Sequence, residues 1–236
     1  MKRKPFSHIT LFCGLLLGVA CTDVVAPLDE FCGVTRQPST APPTHDPVLF
    51  VHGYGQNPDF FCPMVGRFRE DGWSERELYA YGYSFVASHA ANADEIRKQV
   101  DRILTETQAA RVDIIAYSAG SVSSRYYLKN LAGTAKVDAW VSLAGPNHGT
   151  DTALNCSLTP CLEIRLGSQF LADLNAGDET PGLVRYATWW SPCDETINPD
   201  TSVPLAGATN HQSACIAHSQ FLTDGVIYQQ VRDFVD

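Results

Sequence analysis

From residue 47 onward, short unbroken apolar runs alternate with longer stretches whose apolar positions recur at helical spacing. Val48-Leu49-Phe50-Val51 is the first run, and the glycine-rich His52-Gly53-Tyr54-Gly55 follows it. Residues 61–71 read as a helix and 78–83 as the next strand. Over 93–109, Ile96, Val100, Ile103 and Leu104 share one face, and Asn92 with Glu95 has capping-box spacing, so a helix is expected there. A buried-type strand is expected at 112–117, a helix from 119 to 131, and a second such strand at 137–143. The pattern then predicts a helix at 166–174, a strand at 183–189, a short strand at 203–205 and a closing helix over 219–234.

Strands that alternate with helices imply βαβ units. The expected architecture is therefore α/β, a doubly wound, mostly parallel sheet of about six strands with helices on both faces and no large cap domain. In such sheets reactive groups collect beyond the C-terminal ends of the strands. The HGYG loop, the turn after 112–117, the Gly145-Pro146-Asn147-His148-Gly149 loop, the Asp194 loop and the loop before the last helix all fall there. No internal repeat or low-complexity block interrupts the pattern.

The first 46 residues are of another kind. Lys2, Arg3 and Lys4 precede an apolar run over 9–20, so residues 1–20 read as a signal peptide, too short for a permanent span. Gly18-Val19-Ala20-Cys21 resembles the lipobox of bacterial lipoproteins, with glycine where leucine is usual; anchoring through lipidated Cys21 and plain signal cleavage both fit. Residues 21–46, with Pro27, Pro38, Pro42 and Pro43, read as a tether, and 47–236 as one catalytic domain. The chain is thus expected to be exported, secreted or held at the bacterial envelope.

Cysteine usage fits export. Of eight cysteines, Cys13 lies in the signal, and with Cys21 set aside six remain: Cys32, Cys62, Cys156, Cys161, Cys193 and Cys215. An even set in an exported chain suggests three disulfides, in any of fifteen connectivities. Spacing favours a local Cys156–Cys161 loop, which leaves Cys32–Cys62 and Cys193–Cys215 as one pairing of the other four. Zinc spacing is absent, and neither a metal nor another cofactor is expected. A net charge of −9 argues against nucleic acid as a partner. A monomer is the expectation.

Chemistry concentrates at Ala116-Tyr117-Ser118-Ala119-Gly120. Small residues two before and two after a serine, between a strand and a helix, suit a nucleophile elbow, whose turn is too tight for larger side chains. A serine nucleophile needs a base, itself oriented by a carboxylate, and this fold orders them Ser, acid, His. His148 precedes the acid candidates and reads as a structural or rim residue. His218 stands just before the last helix; His211, seven residues earlier, stays open as a rival base. Asp194 follows the 183–189 strand and is preferred as the acid over Asp173, Asp178 and Asp200. A Cys193–Cys215 bridge would hold the acid and base loops in register. The oxyanion needs fixed N–H donors, expected from Ala119 at the start of its helix and from Tyr54 between two glycines. Tyr54, Trp189, Trp190 and Phe221 are candidates for an apolar acyl pocket, or equally for the core.

Together VHGYG, AYSAG, SLAGPNHGT, the segment Cys193-Asp194-Glu195-Thr196-Ile197-Asn198-Pro199 and the last histidine resemble the secreted bacterial lipases and esterases of the α/β-hydrolase superfamily. The likeness is to the small, lid-poor class 2 lipases with alanine in the elbow, and it runs from about Val48 through nearly all of the mature chain. It implies Ser118, Asp194 and His218 as the triad, Tyr54 and Ala119 as the oxyanion hole, and hydrolysis of a small-molecule or lipid carboxylic ester through an acyl-enzyme. The N-terminal cysteine-bearing tether is not part of the family's common core. An extracellular polyester (polyhydroxyalkanoate) depolymerase shares these motifs and is the rival within the class. A lipid-anchored binding protein that kept the fold without catalysis is the rival outside it.

Overall fold

A computed structural model describes residues 31–34 and 42–236. The signal peptide 1–20, Cys21 and most of the tether 21–46 lie outside the described residues.

Six strands form one parallel sheet: β1 (Val48–Val51), β2 (Leu78–Ala80), β3 (Val112–Tyr117), β4 (Val137–Leu143), β5 (Arg185–Trp190) and β6 (Thr209–Gln212), in spatial order β2-β1-β3-β4-β5-β6. The chain steps outward from β1 to β2, then crosses back to place β3 on the other side of β1. That reversal opens a crevice beyond the C-terminal ends of β1 and β3, where ligands bind in such sheets. Both strands are buried throughout, which is why β1 reads as an unbroken apolar run and β3 as one interrupted only by Asp113.

Alternate side chains feed two cores. Phe50, Ile115, Val141 and Trp189 face α1 (Cys62–Glu70) and α6 (Gly225–Val235), where Met64, Phe68, Ile227 and Val231 cover them. Leu49, Ile114, Ala116 and Trp140 face α2 (His89–Thr107) and α3 (Ala119–Asn130), covered by Ile96, Val100, Ile103 and Leu128. The expected doubly wound α/β architecture is the one observed.

Several boundaries differ from the sequence reading. Helix α2 starts at His89, not at 93, because Ser88 Oγ accepts from Ala91 N at 3.1 Å and caps it. Asn92 is instead buried, donating to the Ser84 carbonyl. No strand forms at 203–205: Val203 and Leu205 are buried core residues in a loop, and Pro204 between them has no N–H for a ladder. The sixth strand is the polar Thr209–Gln212. The closing helix is split into a 3-10 turn, His218–Leu222, and α6, whose start is capped by Asp224 Oδ1 accepting from Val226 N and Ile227 N. The 166–174 helix is α5 (Gln169–Asn175), capped by Ser168, and a short α4 (Thr159–Glu163) precedes it without any sequence signal.

Among the described residues three disulfides join Cys32 to Cys62, Cys156 to Cys161 and Cys193 to Cys215: the local loop that spacing favoured, and one of the pairings it left open for the other four cysteines. Among the described residues no helix is long and apolar enough to cross a membrane.

Candidate active site

Ser118 sits between β3 and α3 at φ 52°, ψ −131°, a conformation that costs a serine about 1–3 kcal/mol and persists only where the surroundings impose it. They do so here. Ser118 N donates to the Leu143 carbonyl of β4 at 2.9 Å, and α3 starts hard against the end of β1. A Cβ on Gly120 would meet the Val51 and His52 carbonyl oxygens, and one on Gly53 would come within 2.9 Å of Ser118 Cβ. The elbow's small positions therefore answer to backbone approach between β1 and α3.

His218 opens the 3-10 turn before α6. Its Nε2 lies 3.1 Å from Ser118 Oγ and its Nδ1 2.8 Å from Asp194 Oδ2. A carboxylate oxygen only accepts, so Nδ1 carries the proton and Nε2 is left to accept from the serine hydroxyl. The other Asp194 oxygen accepts from Thr196 N and Ile197 N at 2.8 and 2.9 Å, and its side chain is only 2% exposed. The His218 backbone is fixed on both sides: its N donates to Glu195 Oε2 and its carbonyl accepts from Tyr117 OH. Burial first, and then the Asp194 carboxylate, push the Tyr117 phenol up, so it stays a donor.

A buried serine that the sequence reading missed ties the Asp194 and His218 loops together. Ser191 Oγ accepts from Cys193 N at 3.1 Å and Ile216 N at 3.0 Å, and donates to the Ile216 carbonyl at 2.7 Å. Thr150 and Thr152 likewise donate to the Thr196 carbonyl, docking the Asp194 loop on the loop after β4. Such residues carry no sequence signal, since polar positions in loops have no period.

The loop after β1 is held from beneath. His52 Nδ1 lies 2.9 Å from the Gly53 carbonyl, its ring stacks on Tyr83 at 3.9 Å, and Tyr83 OH donates to the His52 carbonyl. Burial lowers the His52 pKa, which keeps its ring neutral. Gly53 N donates to Gln56 Oε1. Tyr54 and Ala119 line one pocket with Ser118, and Ala119, first in α3, has no carbonyl four residues back in the helix for its N–H.

The other candidates lie elsewhere. His148 pairs with Glu179 Oε1 at 2.9 Å, and His211 stacks on Trp189 in the sheet. Asp173 accepts from Gln169, Asp178 from Thr180 and Asp200 from Thr201, each locally. Of the proposed pocket aromatics only Tyr54 lines it. Trp189 and Phe221 are wholly buried in the core and Trp190 packs against it; β5 turns Trp189 toward α6, where its Nε1 donates to Gln230. The pocket walls are instead Pro146, Thr150, Thr152, Ala153, Ile164 and the Cys156–Cys161 bridge, with Ile197 beside them.

Two groups of described residues have metal-like geometry. Cys32 and Cys62 with Asp59 are already disulfide-bonded. Asp46, Asp113 and Asp138 gather at the opposite end of the sheet, where Arg111 and Arg185 pair with Asp138 and burial raises Asp113 toward its neutral form.

A family model described as Lipase (class 2) matches residues 45–229. The mature lipase BlEst2 of Bacillus licheniformis superposes with a TM-score of 0.73 at 14% identity, covering 84% of this chain and 96% of that one. Lipase B of Aspergillus fumigatus gives 0.68 at 14% identity over 78% of this chain and 50% of that one, so this chain spans about half of that lipase. The lin2722 product of Listeria innocua gives 0.64 at 11% identity, covering 81% and 94%. At these identities the structural likenesses establish the fold alone.

Proposed function

The chain belongs to the class 2 lipase family, and from that premise we propose that it is an exported serine hydrolase that cleaves carboxylic esters through an acyl-enzyme. The observation that carries this reading is the single imidazole bridging Ser118 Oγ at 3.1 Å and Asp194 Oδ2 at 2.8 Å. In this reading Ser118 Oγ attacks the ester carbonyl while His218 Nε2 takes its proton. Asp194 holds the tautomer and stabilises the imidazolium that forms. The tetrahedral oxyanion is met by the Ala119 N–H, at the positive end of α3, and by the Tyr54 N–H. Collapse expels the alcohol, which receives the proton from His218. Water, activated by the same imidazole, then releases the acid and restores the serine.

Three disulfides support export to an oxidising compartment. The test is Ser118→Ala assayed on p-nitrophenyl butyrate. Loss of about 10³-fold or more in kcat is expected with the fold retained, in line with triad removal elsewhere. Undiminished hydrolysis would refute the mechanism. Parallel His218→Ala and His211→Ala variants identify the base: activity goes with His218 alone.

A further inference from the structure

The pocket beside Ser118 is small, apolar and rigidly walled. It has a volume of about 140 Å³. An apolar cavity of about 150 Å³ is filled by one benzene ring, which makes about six carbons the natural load for this one. We infer that the Cys156–Cys161 loop is the wall that closes this pocket, and that it limits the acyl chain of the substrate to about six carbons. The inference rests on the ester-hydrolase reading and adds the substrate class.

The wall is built to stay in place. Thr150 N donates to the Ile164 carbonyl at 2.9 Å, closing the segment between them into a loop. Inside it Cys156 is bridged to Cys161. Arg165 clamps the loop by donating to the Ala153 and Cys156 carbonyls at 3.3 and 2.8 Å. From outside, the start of α2 braces it: His89 N donates to Glu163 Oε2, and His89 Nε2 lies 3.2 Å from the Pro160 carbonyl. Across the pocket Tyr54 OH reaches Cys156 Sγ at 3.6 Å, and since a disulfide sulfur carries no proton the phenol is the donor. That contact joins the loop after β1 to the bridge, so the two sides of the pocket meet there.

Ala153 and Ile164 pack with Ala119 beside the nucleophile, which puts the limiting side chains next to the reacting carbon rather than at a distant rim. An acyl chain entering here gains burial with every methylene until the bridge stops it. A longer chain has to turn out of the pocket and gains nothing more.

The experiment is kcat/KM for p-nitrophenyl esters from acetate to palmitate, on the oxidised wild-type protein and three variants whose folding is checked by thermal melts. For the wild type, kcat/KM rises about fourfold per methylene up to about hexanoate, as burial of each CH₂ predicts, and then falls. Ala153→Leu places three more carbons in the pocket and moves the maximum to shorter chains. Cys156→Ala/Cys161→Ala removes the bridge, and Ile164→Ala enlarges the pocket with the bridge intact. Each is expected to raise the octanoate-to-butyrate ratio about tenfold, the gain from one to two further buried methylenes. A wild-type maximum at laurate or beyond overturns the inference, and so does an unshifted profile in every folded variant. If the wild type cleaves no ester at all, the ester-hydrolase reading fails and takes this inference with it. An active enzyme with an unshifted profile sinks the inference alone.

Discussion

Ser191→Ala separates what aligns the proposed acid and base from what merely stabilises their loops. The hydroxyl is fully buried at the end of β5 and touches both loops at once, at Cys193 N, Ile216 N and the Ile216 carbonyl. Cys193 is exposed, so water replaces its lost partner. The two Ile216 groups are half-buried, and leaving them unpaired costs about 2–4 kcal/mol together. For a domain of this size that lowers Tm by about 5–12 °C. A displacement of about 1 Å between the Asp194 and His218 loops costs about 10²-fold in rate, so kcat is expected to fall by about 10–100-fold with KM little changed. The matched control is Cys193→Ala/Cys215→Ala. Opening that loop, with its 22-residue separation, costs about 3 kcal/mol through the unfolded chain, yet leaves the Ser191 hydrogen bonds in place. It is expected to melt earlier with kcat within about threefold of wild type. Thermal melts and p-nitrophenyl butyrate kinetics on both proteins are the assay. If Ser191→Ala melts within about 1 °C of wild type at unchanged kcat, or the disulfide variant alone loses turnover, the reasoning is wrong.

Three other expectations follow from the geometry. Burial lowers the His89 pKa to about 4 from its ordinary 6.5, so between those values the unfolded chain binds a proton that the folded one refuses, and stability falls with falling pH. Urea titrations at pH 6.5 and 4.5 should show a loss of about 2 kcal/mol, and His89→Gln, with no imidazole to protonate, should lack that part of the slope. Asp194→Asn presents an N–H to His218 Nδ1 and forces the wrong tautomer. A fall in kcat of about 10³–10⁴-fold with an unchanged melt is expected, and a loss under tenfold would remove Asp194 from the mechanism. Gly120→Ala drives a methyl onto the Val51 and His52 carbonyls. Because both are strand-end backbone that cannot yield cheaply, a cost of about 3 kcal/mol in chemical denaturation is expected.

What could be read from the chain, and what could not, divides along physical lines. β1, β3 and β4 are buried on both faces, so their apolar runs marked them closely. β6 pairs only with β5, and its Thr-Asn-His-Gln has no apolar side to display, so the pattern placed a strand instead at the buried Val203 and Leu205. The start of α2 went to Asn92 because its spacing to Glu95 mimics a cap, while Ser88 held the true one. Ser118, Asp194 and His218 stood out because the proposed reaction demands those residue types in that order. Ser191, Tyr117, Thr150 and Tyr83 hold the loops by hydrogen bonds to backbone, which any hydroxyl at the right point in space can make. Trp189 and Phe221 were ambiguous for a related reason: an apolar ring suits a core and a pocket equally well.

The sheet order sets the time at which catalysis can begin. Ser118 follows β3, Asp194 follows β5, and His218 arrives only after β6, 100 residues beyond the serine. Contacts so distant along the chain form late, after the nearer strand pairs have docked. In a refolding experiment the proposed ester turnover is therefore expected to follow the completed β4-β5-β6 half of the sheet and not the recovery of helical signal. A collapsed chain with its helices formed but that half unpaired has the elbow serine without His218 beside it. Assembly of Ser118, Asp194 and His218 is thus an indicator of finished folding, and under the proposed reaction a partly folded chain would have no means of attacking esters it meets before then.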